Sequence, residues 1–143
     1  MDILNVLEKA TQINSVSGSE NEIRKFISDN VKKYCDELSV DAMGNLIAHK
    51  KGSGKKIMFA AHMDEIGIIV TDIDDKGFVR FSSVGGLNLR NLVNLRVRFA
   101  NGVEGVIYFE QMSEGGSFDV DMKRMFIDIG ALSEENTKSL VSV

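Results

Sequence analysis

The run Ile57-Met58-Phe59-Ala60-Ala61 is apolar at every position and ends abruptly in His62-Met63-Asp64-Glu65. A strand with one wet face alternates polar and apolar residues, so an uninterrupted apolar run predicts a central strand covered on both faces, as in an α/β sheet. Upstream, Asp2 can cap a helix with Ile3, Leu4, Leu7 and Ala10 at helical spacing, running to about Ile13. Ser19-Glu20-Asn21-Glu22 has the capping-box pattern for a second helix. That helix carries Ile23, Phe26, Ile27, Val31 and Tyr34 on one face and Arg24, Lys25, Lys32 and Lys33 on the other. Both helices are amphipathic and should lie on something flat. Leu38 and Val40 then alternate with polar neighbours. A turn at Asp41-Ala42-Met43-Gly44-Asn45 and a return over Leu46–Lys50 predict a hairpin, followed by a turn at Gly52 and Gly54.

Beyond Glu65 the texture is all-β. Strands are expected over 66–73, 78–84, 95–99, 103–109 and 126–129. Turns are expected at Asp74-Asp75-Lys76-Gly77 and at Asn101-Gly102, the second a strong hairpin signal. Gly85-Gly86 breaks one strand, Glu110 to Asp121 reads as a polar loop, and Ser133 can cap a short helix through about Leu140. The expected organisation is an α/β piece over 1–65 followed by a small β-rich module over 66–143.

Composition removes several function classes. With 17 Lys+Arg against 21 Asp+Glu the net charge is −4, which disfavours a general nucleic-acid binder. The cluster Lys50, Lys51, Lys55, Lys56 has no interleaved aromatics and reads as a solvated turn. No stretch approaches the roughly 18 apolar residues of a membrane span, and Met1-Asp2-Ile3-Leu4 lacks the basic start of a secretory signal. One cysteine, Cys35, excludes an internal disulfide framework and any cysteine-rich zinc module, and reads as a packed side chain. That usage fits a reducing compartment, and a cytoplasmic protein is expected. Two histidines limit metal chemistry, because a rich site must draw most ligands from carboxylates.

His62 and Asp64 lie two apart at the end of the apolar run, so a strand places both side chains on one face. A metal-ligating histidine usually donates its other ring N–H to a carboxylate or carbonyl, and α/β sheets place ligands at strand C-termini. The competing reading is a histidine and an aspartate satisfied in a surface turn, which spacing alone favours.

Several blocks occur in order: Ser17-Gly18-Ser19-Glu20, Asp41-Ala42-Met43-Gly44-Asn45-Leu46, Ala60-Ala61-His62-Met63-Asp64-Glu65-Ile66-Gly67, Gly77-Phe78-Val79-Arg80-Phe81, Val84-Gly85-Gly86 and Phe126-Ile127-Asp128-Ile129-Gly130-Ala131. Together the sequence resembles the glutamyl (deblocking, tetrahedral) aminopeptidase family, some of whose members are labelled endoglucanases. The resemblance implies an α/β metallopeptidase domain interrupted by a PDZ-like β domain that helps build dimers and larger tetrahedral assemblies. Residues 1–65 would be the start of the catalytic domain, and 66–143 the PDZ-like insert, incomplete at its C-terminus. It also implies two divalent ions, zinc or cobalt, bridged by an activated water that attacks the first peptide bond of a peptide substrate. By the same resemblance His62 is a metal ligand and Asp64 orients it, while Glu65 matches without a physical role.

The remaining family residues are a bridging Asp, a Glu-Glu pair, a further Asp and a second His, and they are expected beyond residue 143. Glu134-Glu135 has the wrong neighbours for that pair and is explained by the helix dipole. Asp121 and Asp128 do not match the bridging-aspartate segment, and His49 reads as an edge-strand residue. The expectation is the N-terminal part of an aminopeptidase, inactive by itself because one His and scattered carboxylates hold metal weakly. The rival from another class is a non-catalytic PDZ-like module for assembly or peptide binding. Glycoside hydrolysis ranks last, since the chain has no Trp and two Tyr for stacking on sugars.

Overall fold

Asp2 starts helix α1 (Ile3–Ala10) as expected: its carboxylate accepts the N–H groups of Leu4 and Asn5 at 3.1 and 3.4 Å, donors that the helix leaves free. The helix stops short of Ile13. The Thr11 hydroxyl takes the Leu7 and Glu8 carbonyls, and Gln12 and Ile13 close tighter turns onto Lys9 and Ala10. The computed structural model describes residues 2–110 and 121–143, and the chain divides into two compact units, residues 1–65 and 66–143.

In the first unit, helix α2 (Asn21–Val31) buries Ile23, but the capping box does not form. Ser19 sits in a turn over Gly18 at φ +92°, its N–H returning to the Val16 carbonyl at 2.8 Å. That turn leaves Glu20 at the N-cap, with its carboxylate on the Gly18 N–H instead of on a helix donor. Strands β1 (Glu37–Val40) and β2 (Leu46–His49) form the expected antiparallel hairpin, Glu37 opposite His49 and Val40 opposite Leu46. Asp41 holds its turn by accepting the N–H groups of Met43 and Asn45, both at 2.9 Å. Arg24 ties α2 to the hairpin tip by donating to the Gly44 carbonyl at 2.7 Å.

The buried central strand over 57–61 is not observed. Ile57, Met58 and Phe59 are 78%, 88% and 94% exposed, and no strand among the described residues pairs with them. A central strand needs a hydrogen-bonding neighbour on each side. Strands β1 and β2 pair only with each other, so the apolar run has nothing to join. Ile23 is accordingly the one buried apolar side chain among the described residues of this unit.

The second unit is built on one five-stranded sheet. Strands β3 (Gly67–Ile73), β4 (Val79–Val84), β5 (Arg96–Arg98), β6 (Glu104–Phe109) and β7 (Met125–Asp128) form an antiparallel sheet in the order β3-β4-β7-β6-β5. Asp74 accepts the Lys76 and Phe78 N–H groups and so shapes the β3–β4 turn, with Gly77 at φ +87°. Along β6, alternate residues Gly105, Ile107 and Phe109 face inward. The core joins Ile73, Val79, Phe81, Ile107, Phe109, Met125, Ile127 and Val141. Helix α3 (Leu89–Leu92), capped by Asn88, falls where the pattern predicts only a break at the glycines. Helix α4 (Glu134–Leu140) is capped by the Ser133 hydroxyl as expected. Its fully buried Thr137 donates to the Gly77 carbonyl at 2.7 Å, which fixes the helix to the β3–β4 turn. The polar loop expected over 110–121 lies, except for its two end residues, outside the described residues. The architecture is a mixed α/β fold.

Candidate functional site

Two segments of the first unit meet at the polar end of the apolar run. The Glu65 N–H donates to the Ser15 carbonyl at 2.9 Å, and the Glu65 carboxylate accepts the Ser15 N–H at 3.0 Å. Val16 and Glu65 form an isolated parallel bridge, and Ser15 is buried. This reciprocal clamp gives Glu65 the physical role that the sequence left open. It also brings Ser17 beside Asp64, whose Oδ2 accepts the Ser17 hydroxyl at 2.5 Å.

The other carboxylate oxygen serves His62. Its Nδ1 lies 3.0 Å from Asp64 Oδ1 and 2.8 Å from the Asp64 backbone carbonyl. Both partners are acceptors, so the ring proton belongs on Nδ1 and the lone pair of a neutral imidazole on Nε2. The His62 side chain is 84% exposed, which leaves Nε2 open. The Ser17 hydroxyl, and after it the His62 ring, hold the Asp64 carboxyl below its ordinary pKa. The structure thus brings His62 and Asp64 together, although not on the predicted strand. Ser17 and Ser15 escape sequence reasoning as site residues; Ser17 belongs to the Ser17-Gly18-Ser19-Glu20 block, and Ser15 lies outside it.

The remaining candidates are engaged elsewhere. His49 on β2 faces Glu37 of β1, Nδ1 to Oε2 at 3.4 Å, and Glu37 also binds Lys51 at 2.7 Å. Glu134 pairs with Lys138 one turn along α4, and Glu135 lies in the same first turn. Asp121 caps a 3-10 turn through the Lys123 N–H, and Asp128 accepts the Gly130 N–H at 2.8 Å. Cys35 is a half-buried free thiol. Among the described residues no group of three or more His, Cys, Asp or Glu side chains is placed to hold a metal ion. In the second unit a cavity of about 400 Å³ is lined by Asp74, Phe78, Arg80, Tyr108, Glu110 and Phe126, among others. There Arg80 is committed to Asp74 and Glu110, both at 2.7 Å.

Fold and site define a mixed α/β chain with one exposed imidazole set against an aspartate. The M42 glutamyl aminopeptidase family model matches residues 44–143, and the chain belongs to that family. It is 51% identical over 142 residues to a putative aminopeptidase of Acetivibrio thermocellus, a match covering 99% of this chain and 43% of the relative. Among solved structures, the TET aminopeptidase of a marine sediment archaeon (Thaumarchaeota archaeon SCGC AB-539-E09) superposes with a TM-score of 0.89 at 32% identity. That match covers 98% of this chain and 42% of the other. The TET1 peptidase of Pyrococcus horikoshii, described as assembling into a tetrahedron or a large octahedral shell, gives a TM-score of 0.81 at 37% identity. It is covered to 44% by 99% of this chain. A Thermotoga maritima protein described as an endoglucanase gives a TM-score of 0.81 at 35% identity, with 96% of this chain covering 42% of it. The chain thus spans less than half the length of the relatives it matches.

Proposed function

We propose that this chain forms the opening part of a divalent-metal aminopeptidase acting on peptides. In this reading residues 1–65 contribute to the catalytic α/β domain, and residues 66–143 are a PDZ-like module inserted into it. The observation that carries it is the placement of His62, whose Nδ1 faces the Asp64 carboxylate and carbonyl at 3.0 and 2.8 Å while its side chain is open to solvent. A carboxylate partner of this kind raises the basicity of a ligating imidazole. His62 would be one ligand to a zinc or cobalt ion, and Asp64 the residue that orients it. Family membership supports the reaction class.

A pair of ions needs more than these residues supply. The described residues offer one presented imidazole and no set of three ligands, which does not fit a two-ion site. The chain alone should hold metal weakly and be inactive, and no hydrolytic step follows from its residues by themselves. The test is release of an amino acid from a chromogenic amide by the purified 143-residue chain with added zinc or cobalt. Release at the buffer rate is expected. Chelator-sensitive release that disappears in His62→Ala would overturn the reading.

A second reading, assembly or peptide binding without catalysis, is favoured by β3. It is an edge strand of the sheet, and Ile66 and Ile69 on or beside it are 60% and 57% exposed. Homo-oligomers built through this module fit both readings and the assembling Pyrococcus relative. Native mass measurement without metal separates a self-associating module from a monomer. Glycoside hydrolysis remains last, for want of Trp and with two Tyr. No helix of the described residues is long and apolar enough to cross a membrane. A cytoplasmic location is proposed on the single cysteine.

A further inference from the structure

We propose that Ser17 is a positioning residue for His62, acting through the Asp64 carboxylate; this rests on the reading of His62 as a metal ligand. The two oxygens of Asp64 have separate partners: Oδ1 takes the imidazole and Oδ2 takes the Ser17 hydroxyl. Asp64 lies on an irregular segment with its side chain 37% exposed. Packing therefore does little to choose its rotamer, and the hydroxyl selects the one that faces His62. Ser17 can do this because its backbone is held independently of its side chain. The Ser15–Glu65 bonds clamp the segment just before it.

The turn just after Ser17 is held as well. Gly18 adopts φ +92°, a conformation that L side chains rarely take, with nothing within 4 Å of where a Cβ would stand. Ser19 closes the turn onto Val16, and the Glu20 carboxylate accepts the Gly18 N–H at 2.6 Å. In the Ser17-Gly18-Ser19-Glu20 block, the first residue thereby supplies a hydroxyl to Asp64 and the other three shape the turn that aims it.

The readout is the tautomer of His62, measured by long-range ¹H–¹⁵N correlation of the imidazole nitrogens in the full 143-residue chain. At about pH 8.5 an ordinary imidazole is neutral. The chain has two histidines, so His49, paired with Glu37, is an internal reference. Wild type should show His62 mainly as the Nδ1–H form. Ser17→Ala should move its ratio to the Nε2–H form by about threefold, the low end for one lost hydrogen bond of ordinary strength. Asp64→Ala should move it at least as far, and Ser17→Thr should restore the wild-type ratio with His49 unchanged throughout. If Ser17→Ala disturbs the fold, the equal-volume pair Ser17→Thr and Ser17→Val isolates the hydroxyl.

An unchanged ratio in Ser17→Ala or Ser17→Val beside a shift in Asp64→Ala overturns the role of Ser17 and leaves the ligand reading standing. A wild-type His62 in the Nε2–H form overturns both; one indifferent to Asp64→Ala overturns the role of Ser17 alone, because the Asp64 backbone carbonyl, 2.8 Å from Nδ1, then holds the ring by itself.

Discussion

Phe59→Asp decides whether the apolar run at 57–61 is packed in this chain. In a strand covered on both faces, losing the ring would cost about 3–5 kcal/mol. Burying an unpaired carboxylate would add several more. Together these exceed the stability of most small units. Phe59 is instead 94% exposed. A Phe that can bury about 200 Å² then hides on the order of 10 Å², worth about 0.3 kcal/mol. The expected loss is under about 0.5 kcal/mol, as for an ordinary surface change. Ile127→Ala is the positive control, because Ile127 has no exposed surface and should cost about 2–5 kcal/mol. The assay is urea unfolding followed residue by residue in ¹H–¹⁵N spectra, so that each unit gives its own midpoint at constant slope. If Phe59→Asp lowers the midpoint of the first unit as far as Ile127→Ala lowers that of the second, the run is packed and the unpaired segment is refuted. In a longer protein carrying the rest of the family's length, the same substitution should become costly.

The second unit has a buried latch that sequence pattern does not show. Thr137→Val keeps the shape but leaves the Gly77 carbonyl without its donor. It should cost about 1–3 kcal/mol and lower the calorimetric melting temperature of that unit by about 10 °C, with Thr137→Ser milder. Gly77→Ala should be worse, since its Cβ would stand 2.8 Å from the Ser133 carbonyl oxygen and the Thr137 hydroxyl at φ +87°. Burial opposes ionisation of Asp74, but Arg80 and the Phe78 N–H outweigh it and hold its carboxyl below 3.8. A carboxylate depressed in the folded state contributes stability above its unfolded value and loses it as pH falls through the folded one. Urea midpoints taken from about pH 5 to about pH 2 should therefore fall more steeply for wild type than for Asp74→Asn.

Local signals are legible where local chemistry decides the outcome. Asp2 and Ser133 cap their helices, and Asp41, Asp74 and Asn101 shape their turns through side chains reaching backbone two to four residues away. The hairpin signal at Asn101-Gly102 places β6 correctly because the turn sets β5 and β6 side by side as antiparallel partners. The capping box fails because a glycine turn shifts the N-cap by one residue, a choice that the four-letter pattern does not contain. The run at 57–61 departs from expectation for a different reason: apolar composition reports what a segment can be buried against, and the partner is not among the described strands. That the His62 and Asp64 side chains lie together is legible from their spacing. Ser17 is not, because its contact spans 47 residues and depends on the bridge at Glu65.

The two units differ in what their order depends on, and this bears on the site. The β module is held by a closed core, so its geometry follows from apolar burial. The first unit leaves Ile3, Leu4, Leu7, Ile57, Met58 and Phe59 exposed, yet its polar cluster is fully connected. Ser15 binds Glu65, Ser17 binds Asp64, and Asp64 binds His62. Orientation of the imidazole therefore does not wait for the apolar face to be covered, because it comes from hydrogen bonds between two segments already joined by a bridge. On the ligand reading, fixing the ring before metal arrives removes that ordering cost from the binding step. What covering would add is exclusion of water and a lower local dielectric, which strengthen the same bonds without creating them. If so, wild-type His62 should show the Nδ1–H tautomer in this chain by itself. A ring that averages freely would mean that its orientation depends on packing after all.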